Sequence, residues 1–407
     1  MADSWRLRFW TIWTGQAFSL IGSALTQFVL IWWVTQTTGS TSALAIAGIV
    51  ALLPQALLGP LGGAVADRFS RRGILMLADT ISAVCMLVLV WLFQSGQVQL
   101  WHVYVMMSIR SSMQAFQQPA AAASTAMLVP SDWLNRAAGL NQTLGGIITI
   151  AAPALGALAL AVLPFHGALL IDVTTALLAV MLLFLYRIPQ PQRDTTQQSS
   201  LWGDFVAGVR VVVHHRGLLL LYAVVTLMVV LIMPVFSLMP LFVTTHFGGD
   251  VNQVALMQVI GGVGLIAGGI VTFLLNFQRK IVTLLVSYAL ACALIAGTAL
   301  TPGSLFWLAV VWWALGASVF SAGNATLIAL LQSQVPNIFQ GRIISLLTTV
   351  MGLASPIGLG LVALLGTLID VRAVFIFGGA VAATICLLGF AAPSLVRIEE
   401  SPIGLDS

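Results

Sequence analysis

Arg110 and Asp172 each stand inside an otherwise apolar stretch, in a chain where only 7% of residues are charged. A charge near the middle of a bilayer costs about 2.5–3.5 kcal/mol on insertion scales. Each therefore needs a partner or a polar cavity. Arg110 falls about 11 residues into its apolar segment and Asp172 about six into its own, both running inward. At about 1.5 Å per residue their depths differ by less than ~10 Å, so they can meet directly or through water. Burial favours the neutral carboxyl and a neighbouring arginine favours the charged one. That competition suits a proton carrier; a fixed structural ion pair is the other reading. Asp79, near the inner end of the third apolar segment, is the only other carboxylate well inside a span.

Uncharged polar groups form a second set. Gln16, Ser19, Ser23 and Gln27 are spaced by three, four and four residues, so they share one face of the first helix. Such a stripe on a buried helix either lines a wet cavity or makes hydrogen bonds between helices. Gln114 follows Arg110 by one helical turn. In the second half, Met228, Met233 and Phe236, with Met239, and later Phe320 and Asn324, with Trp312 and Trp313, supply the adaptable apolar contacts that varied ligands need; packing in the core is the alternative.

Other chemistry is excluded. Lys280 is the only lysine and follows Arg279, so no Gly-Lys phosphate cradle exists. Glutamate occurs only at Glu399 and Glu400, which removes a His-Glu-x-x-His zinc site. Cys85, Cys292 and Cys386 are isolated in apolar segments, and the five histidines are scattered. No nucleophile–base pair is visible. The expectation is a protein that is not an enzyme, with no metal and no cofactor.

These residues must be held by membrane-spanning helices. The composition is 59% hydrophobic with a mean hydropathy of +1.04, and a soluble surface needs roughly 25% charged residues. Segments 9–34, 43–66, 74–95, 99–124, 137–163, 166–187, 217–245, 251–276, 281–300, 304–332, 340–367 and 372–392 are long and apolar enough to cross lipid. They are too long and continuous for barrel strands. With the N-terminus in the cytoplasm, Arg6, Arg8, Arg68, Arg71, Arg72, Arg136, Arg187, Arg193, Arg210, Arg216, Arg279, Lys280, Arg342 and Arg397 all fall inside. Only Arg372 falls outside. Basic residues so dispersed orient a membrane protein and do not bind nucleic acid. The expected organisation is a six-helix bundle at 1–190, a cytoplasmic linker with a short interfacial helix at 191–216, a second six-helix bundle at 217–395 and a tail at 396–407. The first apolar segment is read as a span and not as a cleaved signal.

The halves repeat. Val129-Pro130 and Arg136 recur as Val335-Pro336 and Arg342, and Gly63 as Gly269, all at an offset of 206; Pro153 recurs as Pro356 at 203. Positions 316 and 378, equivalent to Arg110 and Asp172, are both Gly, so the ionisable pair belongs to the first half alone. Duplicated halves around a central site are the architecture of a secondary transporter.

The run Gly63-Ala-Val-Ala-Asp67-Arg68-Phe-Ser-Arg71-Arg72 resembles the G-x-x-x-D-R-x-G-R-R/K signature of the major facilitator superfamily, with Ser70 where the family has Gly. The resemblance implies twelve helices in two pseudo-symmetric bundles. It also implies that Gly63, Asp67, Arg68, Arg71 and Arg72 form an inner gate. Ala152-Pro153-Ala-Leu-Gly156-Ala157 is a degenerate form of the G-P-x-x-G-G signature of drug antiporters. Thr11 to Ala24, Thr38-Gly39-Ser40, Ile109-Arg110, Phe116-Gln-Gln-Pro119-Ala, Ile171-Asp172-Val173 and Gln340-Gly341-Arg342 resemble the macrolide-efflux branch of bacterial drug:proton antiporters across nearly the whole chain. That resemblance implies a monomeric exporter of small amphipathic antibiotics, in a bacterial plasma membrane, driven by protons through Asp172 and Arg110. Gln16, Ser19, Ser23, Gln27, Gln114, Met228, Met233, Phe236, Phe320 and Asn324 are the candidate substrate contacts. An exporter or uniporter of a siderophore or other metabolite, without proton coupling through Asp172, is the alternative. A receptor or scaffold reusing the fold is a third.

Overall fold

In the computed structural model, which describes residues 3–186, 201–275, 277–366 and 368–399, the regular elements of the described residues are all helical. Six long helices make the first half: α1 (Asp3–Thr38), α2 (Thr41–Arg68), α3 (Arg71–Gln94), α4 (Leu100–Leu128), α5 (Leu134–Val162) and α6 (Phe165–Leu185). A short helix, α7 (Leu201–His214), precedes the second set: α8 (Arg216–Phe247), α9 (Val251–Leu275), α10 (Lys280–Leu300), α11 (Phe306–Gln334), α12 (Asn337–Leu365) and α13 (Val371–Leu388). A single turn, α14 (Pro393–Val396), follows. Each expected span is a helix here. Eleven of the described helices are long and apolar enough to cross a membrane. The exception is α4, long enough at 29 residues but studded with Ser, Gln and Arg110. Large side chains such as Phe273, Leu364 and Leu368 stand largely exposed, as lipid contact allows.

The interfacial helix expected before the second half is α7, which packs against α12 and α8 with Val212 buried and Val213 exposed. Residues 187–200, which hold Arg187, Arg193 and the rest of the expected linker, and the tail from Glu400 onward lie outside the described residues.

The chain divides into two compact units: Met1–Arg193 with Asp250–Val259, and Asp194–Gly249 with Ile260–Ser407. Within the first, α1 packs on α5 and α6, α3 on α4 and α6, and α2 on α4. Within the second, α8 packs on α12 and α13, α10 on α11 and α13, and glycines of α9 approach α11. Shifted by one set of six helices, the two lists coincide. The repeated Val-Pro marks the same joint in both. Val129 and Val335 end α4 and α11 in extended conformation, and Pro130 and Pro336 stand immediately before the next helical segment. The residue before proline is pushed out of the helical region.

Backbone contacts set the helix spacing. Gly62 of α2 lies against the Ala115 carbonyl of α4, where any Cβ would collide with it. Gly268 of α9, 206 residues later, lies in the same way against the Ser318 carbonyl of α11. Close approach without a Cβ is how small residues join helices in lipid. The signature glycine Gly63 has nothing within 4 Å of its Cβ position, so packing within the fold does not require it. Beside this contact Pro54 interrupts α2. The Ser111 hydroxyl of α4 donates to Ala51 O at 2.7 Å and accepts from Gln55 N at 3.2 Å. It thereby splices into the α2 ladder and satisfies groups that lipid would leave bare.

Helix ends follow ordinary capping chemistry. Gly248 closes α8 at φ +65°, a left-handed conformation that glycine adopts without strain. Asp250 then caps α9, accepting from Gln253 N and Asn252 N at 3.0 Å each, while Gln253 Oε1 accepts from Asp250 N. These bonds, the Gln253 amide first, hold the Asp250 carboxyl below its usual range. A lowered folded-state value means that its contribution is complete above the ordinary carboxylate range and fades as pH falls through the lowered one. Asp250→Ala is expected to cost about 1 kcal/mol, read as a lower melting temperature in detergent at pH 7, with the gap to wild type narrowing below pH 4.

Candidate functional site

Two buried carboxylates in the first unit face the same stripe of α1. Asp172, on α6, is paired with Arg110 of α4 at 2.8 Å, with side-chain exposures of 1% and 4%. Ser23 donates to the other oxygen of Asp172 at 2.9 Å, and Arg110 Nη2 also donates to Ser23 O at 3.3 Å. The pairing expected from depth alone is therefore direct. Asp79, on α3, is 2% exposed, and among the described residues no cation pairs with it. It accepts from Gln16 Nε2 at 3.0 Å on Oδ2, and from Ser19 Oγ and Gln117 Nε2 at 2.8 Å each on Oδ1. Gln117 Nε2 lies a further 3.5 Å from Gln16 Oε1. Ser19 and Ser23 are one helical turn apart, so α1 holds one carboxylate with each turn of the stripe. Cys85, one turn and a half beyond Asp79, is buried and free.

These contacts separate the two acids chemically. Protonating Asp172 would strand a buried guanidinium, the costly way to break a buried pair. Asp79 leaves no cation behind when it takes up a proton, and its bonds come from neutral groups.

A cavity of about 560 Å³ opens beside the α1 stripe. Its polar lining is amide and hydroxyl: Gln16, Gln27, Gln55, Gln114, Gln117 and Gln118 with Ser23, Ser124, Thr125 and Asn141. Its apolar lining includes Phe9, Leu20, Leu75 and Trp13, whose indole donates to Asn141 Oδ1 at 2.8 Å. Among the described residues no charged side chain lines it. Gln16, Ser23, Gln27 and Gln114 thus reach the cavity. Ser19 does not: it is 2% exposed and committed to Asp79. The stripe serves the cavity and the interhelical bonds at once.

Candidates in the second unit fare differently. Met228 is fully buried, so it packs in the core and offers no binding surface; full apolar burial wins there. Met233 is half-buried. Phe236 packs on Trp313 and Phe320, with centroids 5.1 and 6.0 Å away, and Asn324 accepts from Tyr288 Oη at 2.8 Å. Phe236, Phe320 and Asn324 therefore belong to one aromatic cluster closed by Tyr288.

Around the charged loop, Asp67 at the end of α2 and Arg71 at the start of α3 lie 3.9 Å apart, with Asp67 77% exposed. Arg71 Nη1 donates to Ala123 O of α4 at 3.0 Å, and Arg72 Nη2 to Phe184 O of α6 at 3.2 Å. The guanidiniums thus tie the loop to two helix C-terminal regions, where cations are favoured. Ser70, which departs from the signature, N-caps α3 by accepting from Gly73 N at 3.2 Å. Its hydroxyl gives a helix start that glycine cannot.

Sequence reasoning missed Gln117, Gln55, Gln118, Trp13 and Asn141 as cavity residues and did not connect Asp79 to its donors. Gln117 and Gln118 stood in the quoted Phe116-Gln-Gln-Pro119 run and Trp13 in the quoted Thr11 to Ala24 run; nothing local marked Gln55 and Asn141.

Comparison with known proteins agrees with this architecture. A family profile described as Major Facilitator Superfamily matches residues 12–359. Macrolide efflux protein A of Streptococcus pyogenes is 34% identical over 93% of this chain and 94% of its own length. Its namesake in Enterococcus faecalis is 32% identical over 79% of this chain and 100% of its own. Multidrug efflux pump Tap of Mycolicibacterium fortuitum is 23% identical over 93% of each. Among solved structures, a D-xylose-proton symporter superimposes with a TM-score of 0.64 at 17% identity, covering 92% of this chain and 96% of that one. The nucleoside transporter NupG gives 0.67 at 16%, covering 95% and 98%.

Proposed function

The chain belongs to the Major Facilitator Superfamily, and from that membership we propose that it exports small amphipathic, macrolide-like antibiotics across a bacterial plasma membrane in exchange for protons. The observation that carries the reading is the first unit's cavity: amides, hydroxyls and aromatic rings line it, and two buried carboxylates stand behind it. Such a lining gives hydrogen bonds and apolar contact to an amphipathic guest without fixing one shape. The names of the relatives support the substrate class.

Transport proceeds by alternating access, with both termini on the cytoplasmic side, a placement that the distribution of basic residues supports. Asp172 with Arg110, and Asp79, are the groups through which proton binding acts. The 63–72 loop is the inner latch, its guanidiniums bound to carbonyls of α4 and α6. Gln16, Ser23, Gln27 and Gln114 contact the substrate, and Phe236, Phe320 and Asn324 belong to the second unit's aromatic cluster.

Purified protein in proteoliposomes, given erythromycin and an imposed pH gradient, tests this. Wild type should move erythromycin against its gradient only while the pH gradient lasts, and Asp172→Asn should lower that flux by about tenfold or more. Erythromycin flux that ignores the pH gradient would favour a metabolite uniporter or exporter and sink the exchange reading.

A further inference from the structure

Asp79 is the buried carboxylate whose amide partners line the cavity. Gln16 and Gln117 each place a side-chain amide between Asp79 and the cavity. With the carboxylate ionised, both Nε2 groups point at it, and the Gln16 oxygen is the end left for the cavity. We propose that protonation of Asp79 reverses the Gln16 amide, switching that part of the cavity wall from a hydrogen-bond acceptor to a donor and expelling a cationic guest. This rests on the drug–proton exchange reading and names the groups that link proton to substrate.

The reversal follows from counting donors. A proton taken from water onto Asp79 Oδ2 makes an O–H that must donate. Its neighbour there, Gln16 Nε2, is itself a donor. Gln16 must turn over, so that Oε1 accepts the new O–H and Nε2 takes the former place of Oε1. Gln117 Nε2, 3.5 Å from that place, keeps its own bond to Asp79 Oδ1 at 2.8 Å and does not turn. Ser19 keeps donating to Oδ1. No bond other than the O–H is made, and the proton leaves to water when the Gln16 amide turns back.

The direction of coupling is that of exchange. A guest ammonium donates to the Gln16 oxygen, feels the negative charge one side chain behind it and can rest on the Trp13 ring. The Gln16 N–H group turned toward the cavity, with Asp79 neutral, weakens both attractions. Proton and cation thus exclude one another without touching, and the penalty is reciprocal. Among the described residues Asp172 is the other carboxylate that acts on Asp79. The elements around Asp79 bring Arg110 from α4 and Asp172 from α6, which are bonded to each other, and Cys85 from α3; α1 brings only Gln16, Ser19 and Ser23.

The test is erythromycin binding to purified protein in weakly buffered detergent, with a pH indicator, from pH 5 to 8, where the drug's amine stays protonated. Wild type should release protons on binding and lose affinity as pH falls, by up to about tenfold per pH unit. Asp79→Asn should release none and bind weakly at every pH. Gln16→Met, which keeps the carboxylate but has no amide to turn, should bind with a shallower pH slope, and decides the matter where Asp79→Asn does not fold. Proton release by Asp79→Asn equal to wild type, or an unchanged slope in Gln16→Met, would overturn the proposal. A wild type that binds erythromycin but shows no pH-gradient-driven flux in proteoliposomes would instead fail the exchange reading itself.

Discussion

Arg110→Met is expected to destabilise the protein by about 3–5 kcal/mol, because it leaves the Asp172 carboxylate buried without its cation. The remaining contact, the Ser23 hydroxyl, is one neutral donor against a full charge. The same physics predicts that the damage is reversible by a second loss. Arg110→Met with Asp172→Leu removes both charges and fills similar volume, and such replacements are often neutral or stabilising. Melting curves in detergent should therefore rank wild type and the double variant close together, with Arg110→Met far below. Transport should not follow that ranking, since the double variant keeps the fold and loses the pair. A double variant as unstable as the single one would mean that the pair contributes through packing and not charge.

The second large effect lies at Gly62. Gly62→Val places a branched side chain against the Ala115 carbonyl and the Pro119 ring, and the first of these is backbone that cannot turn aside. Overpacking costs about 1–3 kcal/mol, and the rigid contact puts this site at the upper end, near 3 kcal/mol. The neighbouring Gly63→Val meets nothing within 4 Å and should leave the melting temperature within a degree or two, the change expected of a surface substitution. Size-exclusion profiles and melting curves of the pair check this. Loss of transport in Gly63→Val with the fold intact would assign the signature glycine to movement and free it from any packing role.

The helices were legible because lipid imposes one demand on every span: about 20 residues that satisfy their own backbone. The fourth segment was read as an apolar span; α4 is a helix of 29 residues there, although its composition is too polar to mark it as one. Depth along a helix was legible too, which is why Arg110 and Asp172 could be paired from residue counts. Rotation of one helix about its axis against another was not. Gln16 and Ser19 were seen to share a face, and Asp79 was seen to be buried, but nothing in either stretch says that the face points at α3. The same blindness made Met228 a candidate contact when it is core, and gave Gly63 the prominence while Gly62 makes the close approach. Ser70 was visible only as a departure from the signature glycine; that its hydroxyl starts α3 needed the Gly73 amide in place.

The polarity of α4 bears on how the protein is made. A segment that carries Arg110, Ser108, Ser111, Ser112 and three glutamines has little reason to leave the translocation channel for lipid alone. Its favourable surroundings are already synthesised: the α2 backbone that Ser111 enters and the α3 face that bears Asp79. Asp172, the counter-charge of Arg110, emerges some 60 residues later. During that interval the arginine lacks its mate, and α4 must wait beside its elder neighbours until α6 arrives. Biogenesis of the first unit is then a cooperative event completed by α6, and a nascent chain stopped before Asp172 should hold α4 in an accessible, unsettled position.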